Sequence, residues 1–265
     1  MSLRFFCQFW LVFGLLLSGS LAWAGDDARL ARLLEAENLQ GCVVVLNLAD
    51  HTRIHSNEAA CGQRHLPAST FKIPNALIAL EIGVTSETEI FPWDRKPRHL
   101  PTWEKDLNLQ EAMAVSAVPV YQEIARRIGS ERMAEWLTRI DYGNREIGSQ
   151  VDRFWLDGPL KISPIEQVAF LGRVASGQAP FSDQTRAALK RLLPTESFGA
   201  ARLLGKTGFA PEKGEMHGWY VGWVERDGKP VWAVAVHLFL LAREQLPLRQ
   251  SMGREALRIV GAIDP

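Results

Sequence analysis

The sequence predicts an α+β fold in which an antiparallel sheet is flanked by N- and C-terminal helices and carries an inserted all-helical lobe. Apolar runs typical of strands lie near both ends of the chain, at 41–46, 202–207, 218–225 and 231–240. The predicted helices of the middle of the chain lie between them, from about 69 to 194. Amphipathic segments at 26–39 and 247–260 stand outside the strands and supply the flanking helices.

The N-terminus has the pattern of a secretory signal. Arg4 precedes an apolar stretch from Phe9 to Leu17, which is shorter than the ~20 residues of a membrane span. Ala22-Trp23-Ala24 is a small-x-small cleavage pattern. We therefore predict a signal peptide at 1–24, a mature protein from Gly25 and a periplasmic location, with an uncleaved N-terminal anchor as the alternative.

The net charge and the length of the chain argue against some classes of function and indicate the number of domains. The chain has 30 Lys and Arg against 30 Asp and Glu, so nothing indicates binding to nucleic acid or to an anionic membrane surface. The longest later apolar run, 231–242, is too short to cross a bilayer. We predict one catalytic domain at 25–265, with a sheet lobe at 25–68 plus 195–265 and a helical lobe at 69–194.

The first strand carries a cysteine with one available partner. Residues 41–46 read as a buried strand, and 54–60 is the expected hairpin partner. Cys42 and Cys61 are the pair left once the signal peptide is removed, which in an oxidising compartment favours a disulfide. Two buried free thiols are the alternative.

Local signals define the remaining elements. Ser163 and Glu166 form a capping box that begins the helix 164–175. Asp227-Gly228 is a hairpin signal between the last two strands. The prolines of 85–103 indicate a loop. The other predicted helices are 75–82, 109–115, 120–128, 131–140 and 182–193.

Ser69 and Lys72 form the first candidate catalytic pair. Positions three apart share a helix face, so the lysine amine can reach the serine hydroxyl, which needs a neighbouring base to act as a nucleophile. Pro74 indicates that the first turn is 3₁₀ or irregular. Taken alone, the Ser-x-x-Lys pattern is a weak signal and favours a helix N-cap followed by a surface lysine.

Further motifs follow in order. They are Ser116-Ala117-Val118, Tyr142-Gly143-Asn144 and Lys206-Thr207-Gly208, with Trp155 and a late Arg249. In this order and spacing they resemble the class D (oxacillinase-type) serine β-lactamases, from about Gly41 to Arg249. The resemblance implies the fold shared by serine β-lactamases and penicillin-binding transpeptidases, and hydrolysis of the β-lactam amide bond, which confers antibiotic resistance.

The resemblance implies roles for the residues around the nucleophile. Ser69 forms an acyl-enzyme, and Lys72, carboxylated by carbon dioxide to N6-carboxylysine, is the general base of acylation and deacylation. Burial favours the neutral amine that reacts with carbon dioxide. Trp155 donates a hydrogen bond to the carbamate, and Val118 and Leu156 are apolar neighbours. No cofactor is expected beyond carbon dioxide or bicarbonate.

The resemblance also implies a substrate site. Ser116 passes a proton to the leaving nitrogen, with Lys206 shaping the electrostatics nearby. Thr207 and Arg249 hold the substrate carboxylate, and Gly208 lets the substrate approach the backbone. The N–H groups of Ser69 and Phe209 form the oxyanion hole. Tyr142, Gly143 and Asn144 are expected to be structural, in the wall of the cleft.

Other functions are disfavoured or kept as alternatives. His51 and His55 have no clustered third ligand, so we expect no metal site and ordinary roles for the histidines. The run 199–207 has the wrong spacing for a phosphate-binding loop, and Gly-x-Ser-x-Gly is absent. The expected partners are small β-lactams, for a monomer or homodimer. The alternative function is a β-lactam sensor or penicillin-binding protein with a long-lived acyl-enzyme.

Overall fold

The computed structural model describes residues 24–264, which contain one large sheet and one small one. Seven strands pair in the order β1-β3-β2-β9-β8-β7-β6, and β4 pairs with β5. Every pair is antiparallel except β1–β3. The strands are β1 Ala24–Asp26, β2 Gln40–Asn47, β3 Arg53–His55, β4 Ile90–Phe91, β5 Leu107–Asn108, β6 Thr195–Phe198, β7 Ala201–Glu212, β8 Glu215–Arg226 and β9 Lys229–Leu240.

The helices cover both faces of the large sheet. They are α1 Ala28–Ala36, α2 Glu58–Gly62, α3 Lys72–Glu81, α4 Leu109–Ala114, α5 Val118–Ile128, α6 Ser130–Arg139, α7 Pro164–Ala175, α8 Asp183–Leu192 and α9 Leu248–Ile259. Of the helices within 24–264, none combines the length and hydropathy needed to cross a bilayer.

Successive side chains of β2 point to opposite faces of the sheet, and each face has its own hydrophobic cluster. Cys42 and Val44 point into a large cluster shared with the helical lobe. Val43 and Val45 point the other way, into a cluster with α1 and α9. Because β2 and β9 are buried on both faces, their residues are almost continuously apolar. The sheet is thus the layer between the terminal helices and the inserted lobe, which confirms the predicted fold class.

Two details of the predicted architecture are wrong. The inserted segment is not all-helical, because Ile90–Phe91 and Leu107–Asn108 pair as a small sheet. The expected hairpin partner 54–60 is confirmed only at its start: β3 pairs with β2 but ends at His55, and Cys61 lies on the short helix α2. The Cys42–Cys61 disulfide is confirmed, with a Cα–Cα distance of 5.0 Å, but it joins a strand to a helix instead of two strands.

Elements that carry a local sequence signal were predicted more accurately than elements that carry none. Ser163 and Glu166 form the predicted capping box, and Asp227-Gly228 turns the chain between β8 and β9. The short edge strands β1 and β6 were missed, because neither has an alternating pattern. Residues 210–217, which lie between two predicted strands, belong to the β7–β8 hairpin. The predicted signal peptide falls almost entirely on residues 1–23, outside the described part of the chain.

Candidate active site

Ser69 and Lys72 lie on a 3₁₀ turn that leads directly into α3. The turn covers Ala68–Phe71, and α3 begins at Lys72. This confirms the irregular first turn predicted from Pro74. Lys72 Nζ lies 2.9 Å from Ser69 Oγ, within hydrogen-bond distance. The preceding Ala68 has a left-handed φ of 49°, a strained conformation for a residue with a Cβ atom.

Lys72 is fully buried. Burial lowers the pKa of its ammonium group well below the usual lysine value, and the positive charge of Lys206 lowers that pKa further. The amine lies 5.3 Å from the centre of the Tyr121 ring, on α5. These surroundings favour the neutral amine, which is the form that accepts a proton or reacts with an electrophile.

Trp155 packs against the residue next to Lys72. Its ring stacks on Phe71 with centroids 5.2 Å apart, and its carbonyl accepts a hydrogen bond from the Ala68 N–H. The indole Nε1 is buried and finds no hydrogen-bond partner within residues 24–264. A buried indole donor normally has an acceptor, so this N–H is available for an acceptor that the described residues do not supply. Leu156, which follows, is half-buried against the same core.

Ser116 lies in the short connection between α4 and α5. Its φ is 55°, again the left-handed region, and its buried Oγ has no partner among the described residues. The connection is fixed on both sides: Ala117 N–H donates to Ala112 O at 2.8 Å, and Trp103 Nε1 donates to Val115 O at 3.0 Å. Val118, half-buried, is the first residue of α5, which packs against α3.

Lys206, Thr207, Gly208 and Phe209 follow one another on β7, beside the Ser69 turn. Lys206 Nζ donates to Thr207 O at 2.9 Å. Burial, together with the charge of Arg249, lowers the pKa of Lys206 to about 7. A Cβ atom on Gly208 would lie 3.2 Å from Pro67 O, so glycine permits the close approach of β7 to this turn.

Arg249 reaches β7 from α9. Its Nη1 donates to Gly208 O at 2.6 Å, whereas its buried Nε has no partner in the described chain. Burial lowers the pKa of Arg249 to about 10, so it remains charged at neutral pH. Among the described residues, the side-chain hydrogen bonds of Lys72, Lys206 and Arg249 are to a hydroxyl and two carbonyls, and none is to a carboxylate.

Tyr142, Gly143 and Asn144 form a turn behind the site. Asn144 donates to Pro159 O at 2.8 Å and accepts from Lys161 N–H at 2.9 Å. Gly143 has a φ of 55°, and a Cβ atom there would overlap the carbonyl oxygen of Lys161. Tyr142 packs edge-on against Phe71, with centroids 5.7 Å apart. These contacts are structural, since they position the loop that carries Trp155.

Gln167 and Trp219 hold the Ser69 turn in place, and neither was predicted from the sequence. Gln167, on α7, donates to Thr70 Oγ1 at 2.9 Å, and Thr70 Oγ1 donates to Pro67 O at 2.7 Å. Trp219, on β8, donates through Nε1 to Leu66 O at 2.9 Å. Both hold the Ser69 turn from beneath. The only available signal was a polar residue on the buried face of the predicted helix 164–175.

A cleft of about 460 Å³ opens beside the connection that carries Ser116. Its lining includes Trp93, Arg98, Trp103, Ala117 and Val120. Ser69, Lys72 and Lys206 do not line this cleft, so it is separate from the immediate surroundings of the nucleophile.

Comparisons with known proteins agree with this arrangement. Residues 40–255 match the family model of the penicillin-binding protein transpeptidase domain. The chain is 42% identical over 237 residues to β-lactamase OXA-48 of Klebsiella pneumoniae, which covers 89% of each protein. It is 38% identical to β-lactamase OXA-10 of Pseudomonas aeruginosa, over 93% of each.

A solved structure shows the same likeness. The class D β-lactamase FUS-1 (OXA-85) of Fusobacterium nucleatum subsp. polymorphum superposes with a TM-score of 0.86 at 36% identity, covering 91% of this chain and 100% of the other.

Proposed function

The chain belongs to the class D β-lactamases, and we propose that it opens the β-lactam ring through a Ser69 acyl-enzyme, with a carboxylated Lys72 as general base. One observation carries the proposal: Lys72 is a buried amine, disposed to be neutral, 2.9 Å from the Ser69 hydroxyl. A neutral amine is required for reaction with carbon dioxide, and a base at this distance can take the serine proton.

The surroundings of Lys72 suit an added carboxyl group. Trp155 Nε1 is a buried donor without an acceptor, and it lies in the core beside the Ser69–Lys72 turn. A carbamate oxygen would satisfy it with a charge-assisted hydrogen bond. When present, the carbamate supplies the anionic oxygen that accepts the Ser69 proton in acylation and activates water in deacylation.

The remaining residues bind and orient the substrate. Ser69 and Phe209 contribute the backbone N–H groups for the developing oxyanion, at the point where β7 approaches the 3₁₀ turn. Thr207 and Arg249 hold the carboxylate of the β-lactam, and the free Nε of Arg249 adds a donor. Ser116, whose Oγ is buried without a partner among the described residues, returns the proton to the leaving nitrogen. Val118 and Leu156 keep the base in apolar surroundings.

The proposal extends to location and partners. The signal pattern at residues 1–24 favours export to the periplasm, where the Cys42–Cys61 disulfide is stable. The partners are small β-lactam molecules, carbon dioxide or bicarbonate is the sole auxiliary reagent, and the enzyme acts as a monomer or homodimer.

The matching family model is that of a transpeptidase domain, which keeps a second candidate: a β-lactam-binding protein that stops at the acyl-enzyme. The test is turnover of a chromogenic cephalosporin by purified protein, in buffer stripped of carbon dioxide and again with bicarbonate added. We expect many turnovers that depend on bicarbonate. Turnover indifferent to bicarbonate would remove the carbamate from the mechanism, and a single stoichiometric burst would favour the second candidate.

A further inference from the structure

Three histidines that are far apart in the sequence meet beneath the Ser69 turn. His65 lies four residues before Ser69 and is held by a backbone bridge to Ile162. His217 is on β8 and His237 on β9, with their side chains on the face of the sheet towards that bridge. One ring nitrogen from each histidine lies within 4.8 Å of the other two.

The rings are packed in a way that directs nitrogens at one another. His217 Nδ1 and His237 Nε2 are 3.0 Å apart, and the His65 ring stacks on His237 with centroids 3.8 Å apart. Two imidazoles bound to one zinc ion place their nitrogens roughly 3.3 Å apart, given Zn–N bonds of about 2.0–2.1 Å and tetrahedral angles. The first pair therefore needs to separate by only a few tenths of an ångström, whereas the His65 ring must tilt away from its stack.

The protonation state of the cluster suits metal binding. Burial lowers the pKa of all three imidazoles, that of His65 to about 4, so each offers a lone pair at neutral pH. Binding requires the proton shared by His217 Nδ1 and His237 Nε2 to move to the far nitrogen of the ring that carries it. The charged groups nearby are the Lys161–Glu212 ion pair and Glu215.

Glu215 adds an outer ligand of the kind that metal-binding histidines use. Its Oε2 lies 3.8 Å from His217 Nε2, a buried nitrogen with no hydrogen-bond partner in the described chain. If His217 binds through Nδ1, its Nε2 carries a proton, which a slightly closer Glu215 carboxylate can accept. Such carboxylate–histidine contacts fix the ring and raise the basicity of the ligand.

We propose that His65, His217 and His237 form a binding site for one divalent transition-metal ion of the zinc class. Three imidazole ligands suit zinc, copper and nickel, and exclude magnesium and calcium, which prefer oxygen. The ion would link the segment before Ser69 to β8 and β9, so its role is to hold the active-site turn on the sheet. His65 is 8% exposed, and the ion would enter from its side.

The experiment measures metal binding by mature protein that carries no polyhistidine tag. Chelator-treated protein is equilibrated with zinc, and with cobalt, whose visible absorption reports coordination by nitrogen. We expect one equivalent per chain, and a thermal unfolding midpoint that rises with zinc and falls when chelator is restored. Neither signal depends on β-lactam hydrolysis, so failure of the proposed function leaves the test valid.

Single substitutions identify the ligands. His65→Phe and His217→Phe retain an aromatic ring without nitrogens, and His237→Gln removes the third ligand. Each is expected to weaken zinc binding at least about 100-fold, since loss of an outer-shell partner alone costs about 10- to 100-fold. His99→Gln, at an exposed histidine, is the matched control and should bind zinc like the unmodified chain.

Circular dichroism establishes which variants are folded, and two folded variants are sufficient for the comparison. The proposal is overturned if the unmodified protein fails to bind zinc with one equivalent per chain. It is also overturned if folded cluster variants bind zinc as tightly as His99→Gln. In either case the three histidines are a neutral packing cluster and nothing more.

Discussion

Replacing Trp155 with phenylalanine separates the proposed role of its indole N–H from the packing role of its ring. Phenylalanine can still stack on Phe71, where the ring centroids are now 5.2 Å apart, but it has no donor. If the Trp155 N–H stabilises a carbamate on Lys72, the substitution weakens carboxylation and leaves Ser69 and the substrate site in place.

The magnitude follows from the type of hydrogen bond. A hydrogen bond to a charged group contributes about 1.5–3 kcal/mol, which is about 10- to 150-fold in an equilibrium constant. The bicarbonate concentration that gives half-maximal kcat/KM should therefore rise by about 10- to 150-fold in Trp155→Phe. At saturating bicarbonate, activity should return to near that of the unmodified enzyme.

The assay is hydrolysis of a chromogenic cephalosporin across a bicarbonate titration. Trp136→Phe is a matched control, because Trp136 also stacks on a phenylalanine, Phe181, but lies on α6. Its half-maximal bicarbonate concentration should not change. If Trp155→Phe loses activity with an unchanged bicarbonate requirement, its N–H does not act through the carbamate, and the reasoning is refuted.

Three further changes test other parts of the structure. Arg249→Ala should raise KM for a β-lactam by about 10- to 150-fold with little change in kcat, since it removes a charge-assisted contact; a fall in kcat alone would contradict this. Because burial holds the pKa of Lys206 at about 7, the unfolded state binds more protons than the folded state from about pH 7 to 10. The free energy of unfolding should therefore rise with pH across that window relative to Lys206→Met, by up to about 1.4 kcal/mol per pH unit in urea titrations, and equal slopes would contradict it. Replacing Cys42 and Cys61 with alanine should lower stability by about 3 kcal/mol, the loop-closure value for a separation of 19 residues, with no effect from reductant; unchanged stability would contradict this.

The sequence predicted those parts of the fold that local chemistry determines. The capping box of Ser163 and Glu166 and the turn at Asp227-Gly228 are complete within a few residues, and both are in the structure. The short strand β6 pairs with β7 only after the chain has folded back, so its sequence contains no comparable signal. Cys61 could be paired with Cys42 by elimination, but its place on a five-residue helix could not be inferred.

The residues of the candidate site also differ in whether local sequence could predict them. Ser69 and Lys72 could be paired from their helical spacing, and the structure confirms their contact. The positions of Trp155 and Arg249 followed from family resemblance, because their neighbours come from distant segments.

The proximity of His217 and His237 could not be predicted by counting residues along the β8–β9 hairpin. The register shifts at Val224/Glu225, and this bulge brings His217 and His237 to the same face. An unbulged hairpin would put them on opposite faces.

The most direct test of the central claim is ¹³C NMR of the enzyme in labelled bicarbonate, at a pH where it is active. We predict one carbamate signal that disappears in Lys72→Met and persists in Lys206→Met, the other buried lysine of the site. No carbamate signal from the active enzyme, or a signal that survives in Lys72→Met, would contradict a carboxylated Lys72 as the general base.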